Sequence, residues 1–300
     1  MAHRFRHGTI HLRGGLYGNE RFTEENRPSH TPSPGCGERL EGGVIEIAYS
    51  GGKDSDVILQ LAKEAGIRYE AVYKNTTIDP PGTIAHAIEM AATMIRPKET
   101  FFQLIERKGM PSRLHRFCCQ ELKEYRVHEK VVIGVRKAES VKRSKRYSEP
   151  TECRFFGAKK PENHVEQIYP ILDWTDADVL AFIEDRGLKL APVYYDEDGR
   201  IDVTRRLGCM CCPMMSKRKR IEAFKRRPGM VRAYIRAMQR YLDSHPDGKC
   251  AKAYANVYEW FCREVFFQYT ADWELARDGL FGKPDSKGII EKTFNITFKN

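Results

Sequence analysis

Val44-Ile45-Glu46-Ile47-Ala48-Tyr49-Ser50-Gly51-Gly52-Lys53-Asp54-Ser55-Asp56-Val57-Ile58 is the stretch on which the reading of this chain turns. Residues 44–49 carry β-branched residues in a short apolar run, the pattern of a buried strand. Residues 50–55 form a tight polar turn. Residues 56–65 then place Val57, Ile58, Leu61, Ala62 and Ala65 on one helical stripe, and Gly66 supplies a C-terminal stop. Residues 67–73 alternate as a second strand. Strand, turn, helix and strand within this span make a βαβ unit, which implies a parallel sheet with a right-handed crossover.

The turn itself carries chemistry. Glycines let backbone N–H groups face one anion without a Cβ in the way, and the following helix adds unpaired N–H groups and a partial positive charge. Ser50 and Ser55 can donate hydroxyl hydrogen bonds, Lys53 supplies a compact cation, and Asp54 could cap the helix or hold Mg²⁺ beside a polyphosphate. Neither the GxxxxGK[ST] nor the GxGxxG spacing is present. The structural alternative is an ordinary glycine-rich turn.

Outward from this unit, Asp79-Pro80-Pro81 reads as a turn leading to a helix over 83–95. Residues 131–135 read as a strand and 136–146 as a basic turn or helix start. Residues 173–186 form an amphipathic helix with Thr175 and Asp178 spaced as a capping box. Residues 205–213 are a cysteine-rich loop, 221–242 and 250–268 read as helices, and a polar tail follows. Residues 1–42, rich in Gly, Pro, Arg and Ser, read as a mobile arm.

Bulk properties frame the partners. The 300 residues are 41% hydrophobic with a net charge of +10, a balance that favours anionic partners. No apolar run is long enough for a membrane span, and no secretory leader is visible, so the expected compartment is the cytoplasm. In that reducing setting, nine cysteines read as metal or redox ligands before disulfides.

Ser50, Gly51, Gly52, Lys53, Asp54 and Ser55 together resemble the pyrophosphate loop of the N-type ATP pyrophosphatases, which include GMP synthetase, tRNA thiolation enzymes and the PAPS/APS reductases. Four further segments resemble the iron–sulfur APS/PAPS reductases, in that family's order. They are Arg116–Lys123, Gly134–Arg143, residues 168–183, and Gly208-Cys209-Met210-Cys211-Cys212-Pro213. The resemblance covers about residues 44–216. It implies an adenine nucleotide alpha hydrolase-like fold: an α/β parallel twisted sheet with helices on both faces. A helical, cysteine-containing C-terminal part would follow. The implied division is an arm over 1–42, a nucleotide-binding domain over 43–216 and a basic helical extension over 217–300.

The resemblance also assigns residues. Lys53, Arg136, Ser140 and Arg143 would act on the nucleotide's phosphate or sulfate, and Thr76 and Asp79 would hold its adenosine. Arginine forks suit such oxygens, although a basic run is also what a solvated face looks like. Cys118, Cys119, Cys209 and Cys212 supply the four thiolates a [4Fe–4S] cluster needs, and the same set could hold Zn²⁺. Cys211 could take the place of Cys212.

One departure matters. The assimilatory reductases carry a nucleophilic cysteine in a C-terminal tail, whereas the last cysteine here is Cys262. This favours the relatives that keep the cluster without that tail, such as DNA phosphorothioation ATPases. The favoured expectation is therefore cleavage of ATP to activate an acceptor, with sulfur from a donor such as a cysteine desulfurase. The alternatives are reduction of PAPS or APS to sulfite with thioredoxin, and a non-catalytic nucleotide or nucleic-acid module with a structural metal. Residues 205–240 contain 12 Lys/Arg against the single acid Glu222, with Tyr234 and Tyr241 interleaved. That segment suits nucleic acid, and equally a solubilising helix face.

Overall fold

The computed structural model describes residues 43–155, 164–265 and 285–298. The arm read over 1–42 lies outside them, as does the end of the helix expected over 250–268. The described residues form two compact units. The sheet unit comprises 43–74, Pro81–Ile95 and the described part of Tyr125–Leu207. The thiol unit comprises Asn75–Pro80, Arg96–Glu124 and the described residues after 207.

The sheet unit is built on strands β1 (Ile45–Tyr49), β2 (Tyr69–Lys74), β3 (Thr93–Ile95), β4 (Lys130–Val132), β5 (Thr151–Phe155) and β6 (His164–Ile168). Their order is β3-β2-β1-β4-β6-β5. All neighbours are parallel except β5, which runs antiparallel to β6 at the edge. The α/β class expected from the sequence is therefore present, with one antiparallel edge strand added. β1 lies centrally, its residues Ile45 to Tyr49 aligned with Tyr69 to Tyr73 of β2. The loop after β1 thus leaves the carboxyl edge beside the point where strand order reverses, where open α/β sheets bind ligands.

Helices α1 (Lys53–Glu64) and α2 (Thr83–Glu89) follow β1 and β2. Val57, Ile58 and Ala62 of α1 share a core with Ile47, Tyr49, Tyr73 and the later residues Val179, Phe182 and Ile183. The helix expected over 83–95 is divided. It ends at Glu89, Ala91 takes φ 55, and Thr93–Ile95 pairs with β2 as a strand. The backbone reversal at Ala91 is what frees Met94 and Ile95 for the ladder.

Glu46 is fully buried inside β1, yet its carboxylate is satisfied. Oε1 accepts from Lys74 Nζ at 2.6 Å, and Oε2 from the Val127 and His128 N–H groups at 2.8 and 3.3 Å. Lys74 Nζ also donates to the Tyr125 carbonyl at 2.5 Å.

In the thiol unit, α3 (Phe101–Lys108) opens with a Thr100/Gln103 capping box, and α4 (Phe117–Leu122) carries the paired cysteines. The sheet unit adds α5 (Val141–Arg146) and α6 (Asp176–Asp185). At α6, Thr175 Oγ1 accepts from the Asp178 N–H at 3.2 Å and Asp178 returns a bond to the Thr175 N–H at 2.8 Å, the capping box read from the sequence.

The remaining helices belong to the thiol unit: α7 (Lys217–Arg226), α8 (Pro228–Ser244), α9 (Lys249–Ala253), α10 (Val257–Val265) and α11 (Ser286–Phe294). The single helix expected over 221–242 is two, because Pro228 lacks an N–H and is accommodated only in a first turn. The tail expected to be polar contains α11, whose Ile290 and Phe294 are buried four residues apart. Phe101, Phe224, Tyr234, Phe261 and Phe294 form an edge-to-face aromatic core with ring centroids 5.2–6.4 Å apart. Ile78, Leu104, Ile105 and Leu122 join that core, which is why 75–80 and 96–124 belong with the C-terminal helices. This division differs from the contiguous one read from the sequence at 216/217. Among the described residues, no helix is long and apolar enough to cross a membrane.

Candidate nucleotide loop and thiol centre

The loop of the sheet unit is set by close packing. Gly51 has φ +73, and a Cβ there would stand 3.0 Å from Thr83 Cγ2, so conformation and space both require glycine. Gly52 is the extended N-cap of α1, with no side-chain cap. Its N–H meets Ser50 Oγ only at 3.4 Å. Ser55 Oγ donates to the Gly52 carbonyl at 2.7 Å, and Ser50 Oγ donates to Ser55 Oγ at 3.3 Å. No N-cap side chain bonds this helix start; apart from the Lys53 N–H, which Tyr194 meets, and the Ser55 N–H, which bonds the Gly52 carbonyl, amide groups of the turn are left for an anion.

Lys53 is buried, with Nζ 2.9 Å from Asp54 Oδ2 and 5.8 Å from the Tyr194 ring centroid. The other Asp54 oxygen accepts from Arg136 Nε at 2.7 Å. Arg136 is 1% exposed, and its Nη2 and Nη1 bond Asp176 Oδ1 at 2.7 Å and the Trp174 carbonyl at 3.2 Å. The sequence cast Arg136 as a direct partner of the nucleotide's phosphate or sulfate. In the fold its guanidinium is turned inward, and it fixes Asp54, which in turn holds Lys53.

Gly134 permits this approach, since a Cβ there would lie 3.0 Å from the Asp54 carbonyl oxygen. Ser140, also expected at the reacting group, accepts from the Arg143 N–H at 3.2 Å and caps α5. Arg143 is half-buried and pairs with Glu139. Burial and the neighbouring Arg206 cation lower its pKa.

Two residues not singled out from the sequence belong to this region, Tyr194 beside the loop and Arg206 beside Glu139. The Tyr194 hydroxyl accepts from the N–H groups of Lys53 and Leu207, the latter at 3.3 Å, and burial raises its pKa. Arg206 donates to the Glu139 carbonyl at 2.7 Å. The available signals were a paired Tyr194-Tyr195 after Pro192, and two arginines just before the cysteine loop. Behind the loop, Tyr49 donates to Asp56 Oδ1 at 2.5 Å, and His86 Nε2 stands 3.0 and 3.1 Å from the two Asp56 oxygens. Burial raises the pKa of Asp56 against the opposing pull of these two partners. This buried triplet ties β1, α1 and α2 together.

In the thiol unit, Cys118, Cys119, Cys209 and Cys212 line one cavity of about 20 Å³ with Thr76, Ile78, Phe101, Leu122, Lys123 and Pro213. Segments about 90 residues apart in the chain thus bring their thiols together. The neighbouring Cys118 thiol lowers Cys119 to about 6, and the Arg116 guanidinium 3.4 Å from Cys119 Sγ adds to the effect. Cys211, the alternative to Cys212, does not line the cavity. It is buried, burial pushes its thiol up to about 12, and its carbonyl accepts from Tyr234 at 2.9 Å.

Thr76 and Asp79, expected at the adenosine, belong to this unit. Thr76 N–H and Oγ1 donate to Asp79 at 2.8 and 2.5 Å, and Cys209 Sγ lies 3.6 Å from Thr76 Oγ1. Four thiols around one apolar pocket match a [4Fe–4S] cluster or zinc in donor kind and number. Among the described residues, no three His, Cys, Asp or Glu side chains already stand in a closed ligand set.

The profile of the phosphoadenosine phosphosulfate reductase domain matches residues 45–215, more than half of the chain. The chain belongs to that family. The match takes in both the glycine loop and all four cavity cysteines. An uncharacterized protein of Methanocaldococcus jannaschii is 27% identical over 214 residues, covering 66% of this chain and 48% of that protein. An uncharacterized 37.8 kDa protein of Escherichia phage 186 is 30% identical over 186 residues, covering 57% and 48%. The chain therefore spans about half the length of these curated relatives. Among solved structures, the PAPS reductase of Candida auris in a phosphate complex is 16% identical with a TM-score of 0.38, covering 55% of this chain and 80% of that one. The U34-tRNA thiolase of Methanococcus maripaludis with its [4Fe–4S] cluster is 18% identical with a TM-score of 0.33, covering 70% and 76%.

Proposed function

We propose that this family member is an adenine-nucleotide-cleaving enzyme of sulfur metabolism. In this reading it splits ATP next to the α-phosphorus and so activates an acceptor for sulfur transfer. The observation that carries the reading is the uncapped α1 N-terminus behind Gly51-Gly52, with buried Lys53 held by Asp54. In this role the loop amides and Lys53 grip the leaving pyrophosphate and stabilise the charge that develops on it. Arg136 keeps Asp54 in place from the protein side. Arg143 and Arg206 supply further positive charge at the half-exposed rim. Mg²⁺ on the polyphosphate is compatible with Asp54 as a neighbour.

Cys118, Cys119, Cys209 and Cys212 would hold the cluster, with zinc as the alternative. A [4Fe–4S] cluster held by all four thiolates would supply an electron-transfer centre. A cysteine desulfurase is the matching class of sulfur donor.

ATP is preferred over PAPS or APS because a reductase needs an accessible, reactive thiolate. Among the described free cysteines outside the cavity, Cys211, Cys250 and Cys262, burial raises every thiol pKa. The test is an anaerobic assay of the metal-loaded protein for pyrophosphate release from ATP and sulfite release from PAPS with thioredoxin. Pyrophosphate release that falls about 100-fold to 1,000-fold in Lys53→Ala, the scale of losing one transition-state donor, supports the reading. Sulfite release would replace it with the reductase. Neither product from a fully loaded protein would leave only a binding module.

A further inference from the structure

We infer that the exposed face of α7 and α8 binds the phosphate backbone of nucleic acid without reading its bases. The inference goes beyond the nucleotide chemistry and rests on charge that the described residues of the thiol unit leave unmatched. Arg218, Lys219, Lys225, Arg226, Arg227, Arg232, Arg236 and Arg240 are all exposed. Arg218 and Arg226 share Glu222, and Arg240 pairs with Glu106. Among the described residues, no carboxylate is paired with Lys219, Lys225, Arg227, Arg232 or Arg236.

The arrangement opposes what an isolated helix would choose. α7 begins Lys217-Arg218-Lys219-Arg220, and neither α7 nor α8 has an acid in its first turn, so cations sit at the positive end of the dipole. Arg232, Arg236 and Arg240 follow at four-residue steps, a single stripe rising about 6 Å per step. Like charges at that spacing destabilise a helix. An anionic polymer laid along the stripe removes both penalties, and arginine forks suit phosphate oxygens.

The same geometry discriminates among polyanions. A membrane-surface helix inserts an apolar face. Here Val231, Tyr234, Ile235 and Met238 of α8 are buried in the unit's own core. The exposed large hydrophobics, Ile84, Ile88, Leu114, Val127 and Val141, lie outside both helices. The two tyrosines interleaved with this charge are already engaged by the protein. Tyr234 is 1% exposed, and Tyr241 is stacked on His245 at 4.3 Å. Arg220 is buried and donates to the Pro213 carbonyl at 3.3 Å, so it supports the cysteine loop. What remains is charge, which reads the backbone and carries no sequence information.

The experiment is fluorescence anisotropy of the full chain, without nucleotide, on labelled mixed-sequence duplex DNA, single-stranded DNA and RNA. Five phosphate contacts imply a loss of about 100-fold to 500-fold in affinity between 50 and 200 mM salt. Lys225→Gln/Arg232→Gln/Arg236→Gln should weaken binding at least about tenfold at low salt and lower the salt slope by about 2 to 3. Arg232→Lys/Arg236→Lys should keep the binding. So should Lys189→Gln/Arg200→Gln, exposed charges of the sheet unit. The melting temperature of the triple variant should match or exceed the parent's. The inference is overturned by absence of binding, by equal loss in the sheet-unit control, by loss in the Lys variant, by strong preference for one sequence, or by binding only to anionic lipid vesicles. Pyrophosphate release is a separate readout, so either conclusion can fail alone.

Discussion

The two units treat charge in opposite ways. The sheet unit buries charge and matches it: Glu46 with Lys74 and two N–H groups, Arg136 with Asp54 and Asp176, Asp56 with Tyr49 and His86. The thiol unit buries aromatic rings, sulfur and Arg220, and displays on α7 and α8 cations that no carboxylate among the described residues pairs. A buried ion costs several kcal/mol unless its partners are in place, so the first arrangement specifies one geometry around the loop. Exposed cations cost little to display and can exchange partners, which suits a surface that meets a variable ligand.

The comparison breaks most sharply at the cysteines. Cys212 lines the thiol cavity, and Cys211, one residue earlier, is turned into the core with φ 50. Cys212→Ser should therefore remove nearly all bound metal from anaerobically purified protein, read by metal analysis and, for an iron–sulfur cluster, by absorbance near about 400 nm. Cys211→Ser should retain the metal and lose stability instead. Equal metal loss from both would mean that the cavity does not define the ligand set.

A smaller effect is expected at the buried pair of the sheet unit. Lys74→Met removes the cation bonded to the fully buried Glu46. It should cost about 3–5 kcal/mol in denaturant unfolding, the usual scale for stranding one member of a buried pair. Glu46→Leu/Lys74→Met should recover a large part of that loss. A Lys74→Met cost below about 1 kcal/mol would show that water reaches Glu46, and the contrast between the units would weaken.

Much of the sheet unit was legible because its signals are local. The glycine turn sits between an apolar run and an amphipathic stripe, and Thr175/Asp178 announced α6 by spacing alone. The direction of β5 was not legible, since an edge strand flanked by polar residues has no periodicity that encodes its partner. The orientation of Arg136 was hidden for a related reason. A guanidinium facing Asp54, 82 residues away in the chain, looks in sequence like one more member of a basic run. The thiol unit was harder to read, because its core joins 75–80 and 96–124 to the C-terminal helices through contacts that no local pattern records. Thr76, expected at the adenosine, makes one such contact: its hydroxyl lies 3.6 Å from Cys209 Sγ, 133 residues away in the chain.

The smallest expected effect lies at the sheet edge, where matched charge is only partly buried. Glu152 on β5 accepts two bonds from Arg146 at 2.8 and 3.0 Å and one from the Tyr169 hydroxyl at 2.8 Å. Burial works to raise its pKa, but the Arg146 and Tyr169 bonds outweigh it and hold the carboxyl below the ordinary 4.5. A lowered carboxylate stabilises the fold above its unfolded pKa, and that contribution disappears as pH falls through the folded value. Glu152→Gln should therefore cost about 1 kcal/mol at pH 7, discounted for the exposure of the pair. The gap to the parent should close as the pH is lowered below 4.5. Denaturant unfolding across that range checks the sign. A gap that widens on acidification would mean that Glu152 is held in its neutral form, and matched charge would then stop short of the sheet edge.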